Sequence, residues 1–263
     1  MKLKHFASVA MLAAMAAMAG AAQADGFTNG GFETGATTGW TTGGGYRGWV
    51  DNTSLVPADF LPSGAYNEDG GARGEVISNG YVDPNLGALL GSTVYAGGHS
   101  YRAEDTTSGG YGTVISQKVN NYTDSNIYFA WKAVLENGGH EEYESAVMVL
   151  TLTDDTTGQL LISRTYNAGY TGGGVDSRFA TSDTGLFYTP QWQIEQLAIG
   201  DANVGHSFTL SLLAADCEPT GHTGYAYLDG FGGVAPAVPE PGTYAMMLAG
   251  LGMLGWVKRR KKA

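Results

Sequence analysis

The sequence has 263 residues, of which 41 are glycine and 15% are charged, and its formal net charge is −11. Apolar residues make up 43% and aromatic residues 11%, which excludes an acidic disordered chain, because such chains lack the side chains that build a core. The glycine content disfavours a mostly helical protein, since each interior glycine costs a helix about 1 kcal/mol.

The N-terminal segment has the three parts of a secretory signal peptide. Lys2 and Lys4 precede an apolar stretch over residues 6–21, and Ala22-Gln23-Ala24 then places small residues where signal peptidase cleaves. A short membrane anchor is the alternative, but a polar stretch follows at once. We therefore predict that residues 1–24 are a signal peptide and that the mature chain begins at Asp25.

The charge of the remaining chain is strongly acidic. Between Asp25 and Pro241 there are seven basic against 25 acidic residues, a net −18. An anionic surface repels phosphate groups. We therefore expect no nucleic-acid partner.

Residues 25–235 are predicted to form one all-β domain, a β-sandwich of the jelly-roll kind, because short apolar or β-branched runs alternate with glycine-rich turns. A hairpin is predicted at residues 154–158, where Asp-Asp-Thr-Thr-Gly joins two of these runs. The predicted strands cover residues 113–119, 125–135, 146–153, 159–165, 208–214 and 225–231, and the predicted loops include the glycine runs 43–45, 70–71, 109–110 and 172–174.

Motifs at both ends of this domain carry a resemblance. An N-G-G-F-E run at residues 29–33 is followed by Gly39-Trp40, and a Y-A-Y-L-D-G-F run closes the domain at residues 225–231. This pattern resembles the carbohydrate-binding-module-like jelly rolls of exported bacterial proteins. The resemblance implies that the first and last strands pair and that Glu33 and Asp229 bind a structural Ca²⁺, an ion that takes six to eight oxygen ligands. The alternative is that Glu33 caps a turn and Asp229 lies on the surface.

Large aromatic side chains are candidates for stacking on sugar rings. Trp40, Trp49 and Trp192 have glycine or proline neighbours, which favours exposure, and we name them as candidate glycan-binding residues. Trp131 lies in an apolar strand, so we predict that it belongs to the core. The alternative for every one of these tryptophans is core packing.

Two further groups carry possible chemistry. The H-E-E-Y-E run at residues 140–144 lacks the helical H-E-x-x-H spacing of zinc enzymes, so we interpret it as a solvated loop. Cys217 is the only cysteine, which excludes an internal disulfide. We interpret it as a small buried apolar residue, with a metal or nucleophile pairing to a histidine as the alternative. No catalytic residue is predicted.

The last segment, residues 236–263, has a second targeting pattern. Pro239-Glu240-Pro241 precedes an apolar stretch over residues 242–257, predicted to be a transmembrane helix, and a basic end at residues 258–262. This order resembles the PEP-CTERM sorting signal. The resemblance implies export in a Gram-negative bacterium, recognition by an exosortase at Pro-Glu-Pro, and an association with exopolysaccharide and biofilm.

The sequence thus predicts an exported surface or extracellular-matrix protein, anchored in the membrane as a precursor and then held at the cell surface. We expect it to be non-enzymatic and to bind extracellular polysaccharide. A glycan-active hydrolase or lyase on the same fold and a purely structural matrix component without ligand are the alternatives.

Overall fold

The computed structural model describes residues 26–169 and 174–233. They belong to one compact unit, which ends at Gly233. The predicted signal peptide (1–24), the sorting tail (236–263) with its transmembrane helix (242–257), and the predicted domain end at residue 235 lie outside the described residues. In the two described ranges, no helix has the length and apolar character needed to cross a bilayer.

The described residues form two antiparallel β-sheets with only short 3-10 turns as helices. The first sheet has the order β1-β4-β11-β6-β7, and the second has β2-β3-β12-β5-β9-β8 with β10 also paired to β5. The strands are β1 Thr41–Tyr46, β2 Glu75–Ser78, β3 His99–Ala103, β4 Tyr111–Val119, β5 Asn126–Glu136, β6 Val147–Asp154, β7 Gln159–Asn167, β8 Ala180–Thr181, β9 Leu186–Tyr188, β10 Gln193–Ala198, β11 Phe208–Ala215 and β12 Gly224–Asp229. The 3-10 turns are Pro57–Phe60, Gly87–Leu89 and Asp201–Asn203.

The main core lies between the sheets and follows the two-residue period of strands. In β12, Ala226 and Leu228 point into this core, whereas Tyr225 and Tyr227 point to the outer face of the second sheet. Trp131 is fully buried in the main core, as the sequence predicts. The all-β sandwich is confirmed, and the chain crosses between the sheets from β3 through β6, as in a jelly roll.

Loops cover part of both outer faces. The segment with Leu55 and Phe60 packs on apolar side chains of the first sheet. The segment with Leu86 and Leu90 packs on the outward-facing tyrosines of the second sheet. These loops bury apolar side chains that would otherwise face water, and they bring loop residues next to strand ends.

The glycine run at residues 43–45 is not a loop, and that prediction is wrong. It forms the middle of β1, paired with residues 112–114 of β4. The loop over residues 57–68 lies directly on this strand, so that a Cβ at Gly43 would collide with the carbonyl of Phe60. Glycine is present here because another backbone passes close to the strand.

The implied pairing of the first and last strands is also wrong. β1 pairs with β4, whereas β12 lies between β3 and β5. The ends of the domain meet through loops instead: the amide of Phe231 donates to the carbonyl of Gly30 at 3.0 Å. The rings of Phe27 and Phe32 pack against Phe231.

Candidate functional site

A groove with polar walls lies where β5 ends and β9 and β12 begin. Its volume is about 320 Å³, within the range of small-ligand sites. Asn85 and Glu136 are its amide and carboxylate, and hydroxyl groups make up most of the other polar lining. The lining residues are Pro84, Asn85, Thr106, Ser108, Glu136, Thr184, Leu186 and Thr223.

Hydrogen bonds fix the groove's two strongest polar groups. The Asn85 amide donates to the carbonyl of Thr106 at 2.9 Å and to the hydroxyl of Tyr225 at 3.2 Å. The Glu136 carboxylate accepts from the amide of Thr223 at 3.0 Å. Each group is therefore held in place before any ligand arrives, which lowers the entropic cost of binding.

A buried carboxylate supports the groove from below. Asp83 is 1% exposed and accepts from the hydroxyls of Tyr225 at 3.1 Å and Tyr227 at 2.7 Å. Burial raises the pKa of both tyrosines, and the Asp83 charge adds to the effect. Both hydroxyls therefore stay protonated and keep donating to Asp83.

The three tryptophans predicted to bind glycan have different positions. Trp40 is 8% exposed and packs against the rings of Phe32 and Phe231, so the prediction that it is exposed is wrong. Burial of the large apolar ring in the core is more favourable than its exposure to water beside the preceding glycine. Trp49 is 84% exposed at a turn. The residue type and the flanking glycines alone do not distinguish these two cases.

Trp192 is partly exposed and is held in a fixed orientation. Its ring meets Tyr95 edge to face, with centroids 5.8 Å apart, and its indole N–H donates to the carbonyl of Ser92 at 3.1 Å. The Lys132 ammonium lies 5.8 Å from the ring centroid. Burial lowers the pKa of Lys132 to about 8. Trp192 packs on the same outer face of the second sheet as the apolar residues around the groove.

The predicted Ca²⁺ ligands converge on one loop. Asp229 is fully buried and accepts from the amides of Tyr95 at 2.9 Å and Ala96 at 3.1 Å. Glu33 is exposed and accepts from the amide of Gly98 at 3.0 Å. Burial raises the pKa of Asp229 to about 7, and the Glu33 charge adds to it. Both carboxylates accept hydrogen bonds from backbone amides in this structure, and Ca²⁺ binding stays a prediction.

A second pair of buried acids was not predicted from the sequence. Glu104 and Asp216 are both fully buried, and the Arg73 guanidinium lies 3.4 Å from Glu104 and 4.0 Å from Asp216. Burial raises the pKa of Glu104 to about 7 and that of Asp216 to about 8, with the Glu104 charge adding to the latter. Neither carboxylate is exposed to solvent.

The loop over residues 140–144 is only partly the solvated segment that the sequence predicts. Glu141 and Tyr143 are exposed, but His140 is half-buried and its Nε2 lies 2.9 Å from Nδ1 of His222. Cys217 is buried, as predicted, and its Sγ lies 3.5 Å from the same nitrogen. The thiol therefore contacts an imidazole, which the alternative interpretation of Cys217, a pairing with a histidine, requires.

The C-terminal segment matches a known family model. Residues 237–262 match the model of the PEP-CTERM protein-sorting motif. The chain carries a PEP-CTERM sorting motif. The matched residues include Pro239, Glu240 and Pro241. No curated protein matches the sequence.

Solved structures similar to this chain include carbohydrate-binding modules. TmCBM61, solved with β-1,4-galactotriose, is 13% identical, with 78% of this chain and 95% of that chain covered and a TM-score of 0.37. The CBM22-1 xylan-binding domain of Paenibacillus barcinonensis Xyn10C is 17% identical, with coverages of 79% and 92% and a TM-score of 0.34. The K2 cleaved adhesin domain of Lys-gingipain is 13% identical, with coverages of 76% and 95% and a TM-score of 0.35.

Proposed function

We propose that this chain is an exported protein that an exosortase sorts to the cell surface, where its β-sandwich binds polysaccharide without catalysing a reaction. The match of residues 237–262 to the PEP-CTERM sorting motif carries the sorting part of this proposal. The secretory pattern of residues 1–24 supports export, because a sorting signal of this kind acts on a chain that has entered the export route.

The sorting role predicts that Pro239, Glu240 and Pro241 are needed for processing. Replacing all three with alanine in a host that has an exosortase is expected to leave the precursor unprocessed and in the membrane fraction. Cell fractionation and immunoblotting against the sandwich measure this. Pro236→Ala, which lies outside the matched residues, is the control variant, and its precursor is expected to be processed normally. Normal processing of the triple variant would contradict the sorting role.

The polar groove is the proposed polysaccharide site. Sugars present many hydroxyl groups that both donate and accept hydrogen bonds, and the groove offers a fixed amide, a carboxylate and several hydroxyls. Trp192, which is partly exposed on the same outer face of the second sheet, adds aromatic surface on which a sugar ring stacks. Trp49 is 84% exposed and is a candidate for a separate stacking contact. The negative charge of the domain favours neutral or cation-bridged glycans over polyanions.

The groove favours binding over hydrolysis. Glycosidases of the usual type need two carboxyl groups on opposite sides of the scissile bond. Among the groove's described lining residues, Glu136 is the only acid, and it accepts a hydrogen bond from the backbone of Thr223. The nearby acids Glu104 and Asp216 are fully buried. The groove therefore has a group that orients a ligand but lacks the acid pair.

Glycan binding is expected to depend on the groove. Asn85→Ala and Glu136→Gln are each expected to weaken binding about tenfold or more, because a site built to hydrogen-bond a hydroxyl loses about 1.4 kcal/mol or more with each fixed partner. A glycan array identifies the ligand, and calorimetry measures the affinities. Exposed Asn120→Ala and Glu68→Gln are matched controls with unchanged binding expected. Binding that survives both groove variants would place the site elsewhere, and release of shorter sugars would indicate an enzyme.

A further inference from the structure

A cluster of three metal-ligating side chains lies at the end of the sandwich, outside the groove. His140, Cys217 and His222 place one ligand atom each within 4.8 Å of one another. The Nε2 of His140 is 2.9 Å from the Nδ1 of His222, and the Sγ of Cys217 is 3.5 Å from that Nδ1. Among the described residues this is the one group of three or more His, Cys, Asp or Glu side chains with such spacing.

These separations are close to those of ligands around a zinc ion. With Zn–N near 2.0–2.1 Å and Zn–S near 2.3 Å, tetrahedral ligand atoms lie about 3.3–3.6 Å apart. The sulfur–nitrogen distance in the cluster already has this value, and the two histidine nitrogens need to separate by only a few tenths of an ångström. The ligand atoms of His140 and Cys217 lie within 4.8 Å of each other, so this pair has to close by up to about 1.2 Å around an ion. The side chains therefore have to rotate before the three ligands can hold one ion.

The surroundings of the histidines match those of a metal site. The other nitrogen of His140, Nδ1, lies 3.6 Å from the carboxylate of Glu144. A metal-bound imidazole commonly has a carboxylate beside its second nitrogen, which orients the ring and strengthens the ligand. At His222, a Cβ on Gly138 would collide with the ring, so glycine at this position leaves the space that the ring occupies.

The loops that carry the ligands are fixed by buried hydrogen bonds. The Asn52 amide donates to the carbonyl of Ser145 at 3.0 Å, and the Arg47 guanidinium donates to the carbonyl of Asp216 at 2.6 Å. The amide of Glu218 donates to the carbonyl of Glu144 at 2.8 Å. These contacts hold the loop over residues 137–146 against the loop over residues 216–223, so both loops are in place before an ion arrives.

We propose that His140, Cys217 and His222 bind one zinc ion, with a fourth position left for water. The Cys217 thiol loses its proton to solvent as its sulfur binds the metal. A nucleophilic role for this cysteine does not fit the structure, because the thiol is fully buried and a bulky substrate cannot reach it. An ion can enter between the half-buried imidazoles of His140 and His222. Bound zinc then links two loops that are separate in sequence.

Cobalt substitution tests this site on the purified full chain after treatment with a chelator. Co²⁺ is expected to give the visible bands of a tetrahedral ion and a near-ultraviolet thiolate charge-transfer band. One equivalent of Zn²⁺ is expected to remove both, while excess Ca²⁺ removes neither. This last result separates the cluster from the acid pair Glu33 and Asp229, which has no sulfur.

Variants identify the ligands. Cys217→Ser is expected to abolish the charge-transfer band and, like His222→Gln, to weaken zinc binding at least 100-fold; Glu144→Gln is expected to weaken it about tenfold. His206→Gln, a half-buried histidine paired with Asp154 elsewhere, is the control and is expected to leave the affinity unchanged. His140 lies in a loop whose neighbouring residues are exposed, so His140→Gln is expected to fold. This variant therefore still tests the site if Cys217→Ser fails to fold. Absence of stoichiometric zinc binding, or binding unaffected by the His140 and His222 variants, would overturn the proposal.

Discussion

Replacing Arg47 with methionine is expected to lower the free energy of unfolding by about 3–5 kcal/mol. Arg47 is fully buried, and its guanidinium donates to the carbonyl of Val50 at 2.6 Å, the side chain of Asn52 at 2.9 Å and the carbonyl of Asp216 at 2.6 Å. Burial lowers the pKa of Arg47 to about 10, so the group stays charged at neutral pH.

The size of this effect comes from the acceptors that the substitution leaves behind. Methionine has a similar length but no donor, so several buried oxygen atoms lose their hydrogen bonds at once. Arg47→Lys is expected to recover only part of the loss, because one ammonium cannot reach acceptors arranged around a planar guanidinium. Domains of this size are stable by only about 5–15 kcal/mol, so the methionine variant should be close to unfolding.

Urea denaturation measures the effect of Arg47→Met. Lys118→Met is the control, since Lys118 is 55% exposed in its pair with Asp155 and surface pairs contribute about 1 kcal/mol or less. A loss below about 1 kcal/mol for Arg47→Met would show that the buried network does not stabilise the fold.

The second large effect is a fall in stability as the pH rises from about 4.5 to about 7. Burial raises the pKa of Glu104 from 4.5 to about 7 in the folded chain. The folded state therefore binds more protons than the unfolded state across this interval, and the free energy of unfolding decreases with increasing pH. The shift of the Glu104 pKa corresponds to about 3–4 kcal/mol, and Asp216 acts in the same direction.

Glu104→Gln isolates this contribution. Glutamine keeps an acceptor for the Thr113 hydroxyl, which lies 2.7 Å from the Glu104 carboxylate, but it does not titrate. The variant is expected to show a flatter pH dependence in urea denaturation at stepped pH with a chelator present. Glu68→Gln removes the same charge from an exposed side chain and should keep the wild-type slope. An unchanged slope in Glu104→Gln would mean that this carboxyl is already ionised in the folded state throughout the interval.

Periodicity predicts six of the twelve described strands, β4, β5, β6, β7, β11 and β12, because long apolar strands have a strong local signal. The hairpin of β6 and β7 is found where the turn residues 154–158 predict it, and Trp131 is in the core as its apolar strand indicates. β1 was not predicted, because its glycines make room for a loop that packs on the strand. Residues 43–45 by themselves do not indicate that such a loop is present. Local patterns therefore define strands but not what lies against them.

The sites depend on contacts between distant residues, which a single sequence does not display. His140 and His222 are 82 positions apart, and only the fold brings them to 2.9 Å. Glu136 and Asn85 meet in the groove for the same reason. For the cluster of His140, Cys217 and His222, the sequence offered one signal, the rarity of these residue types: the chain has one cysteine and five histidines. The sorting motif was predictable because its parts are contiguous.

The intact mass of the protein recovered from the surface of an exosortase-bearing host tests whether the chain is exported and then sorted by an exosortase. We expect a chain that begins at Asp25 and ends near Pro239-Glu240-Pro241, without the apolar residues 242–257 and the basic residues 258–262. A surface protein that retains these C-terminal residues, in a host whose exosortase is active, would contradict this expectation.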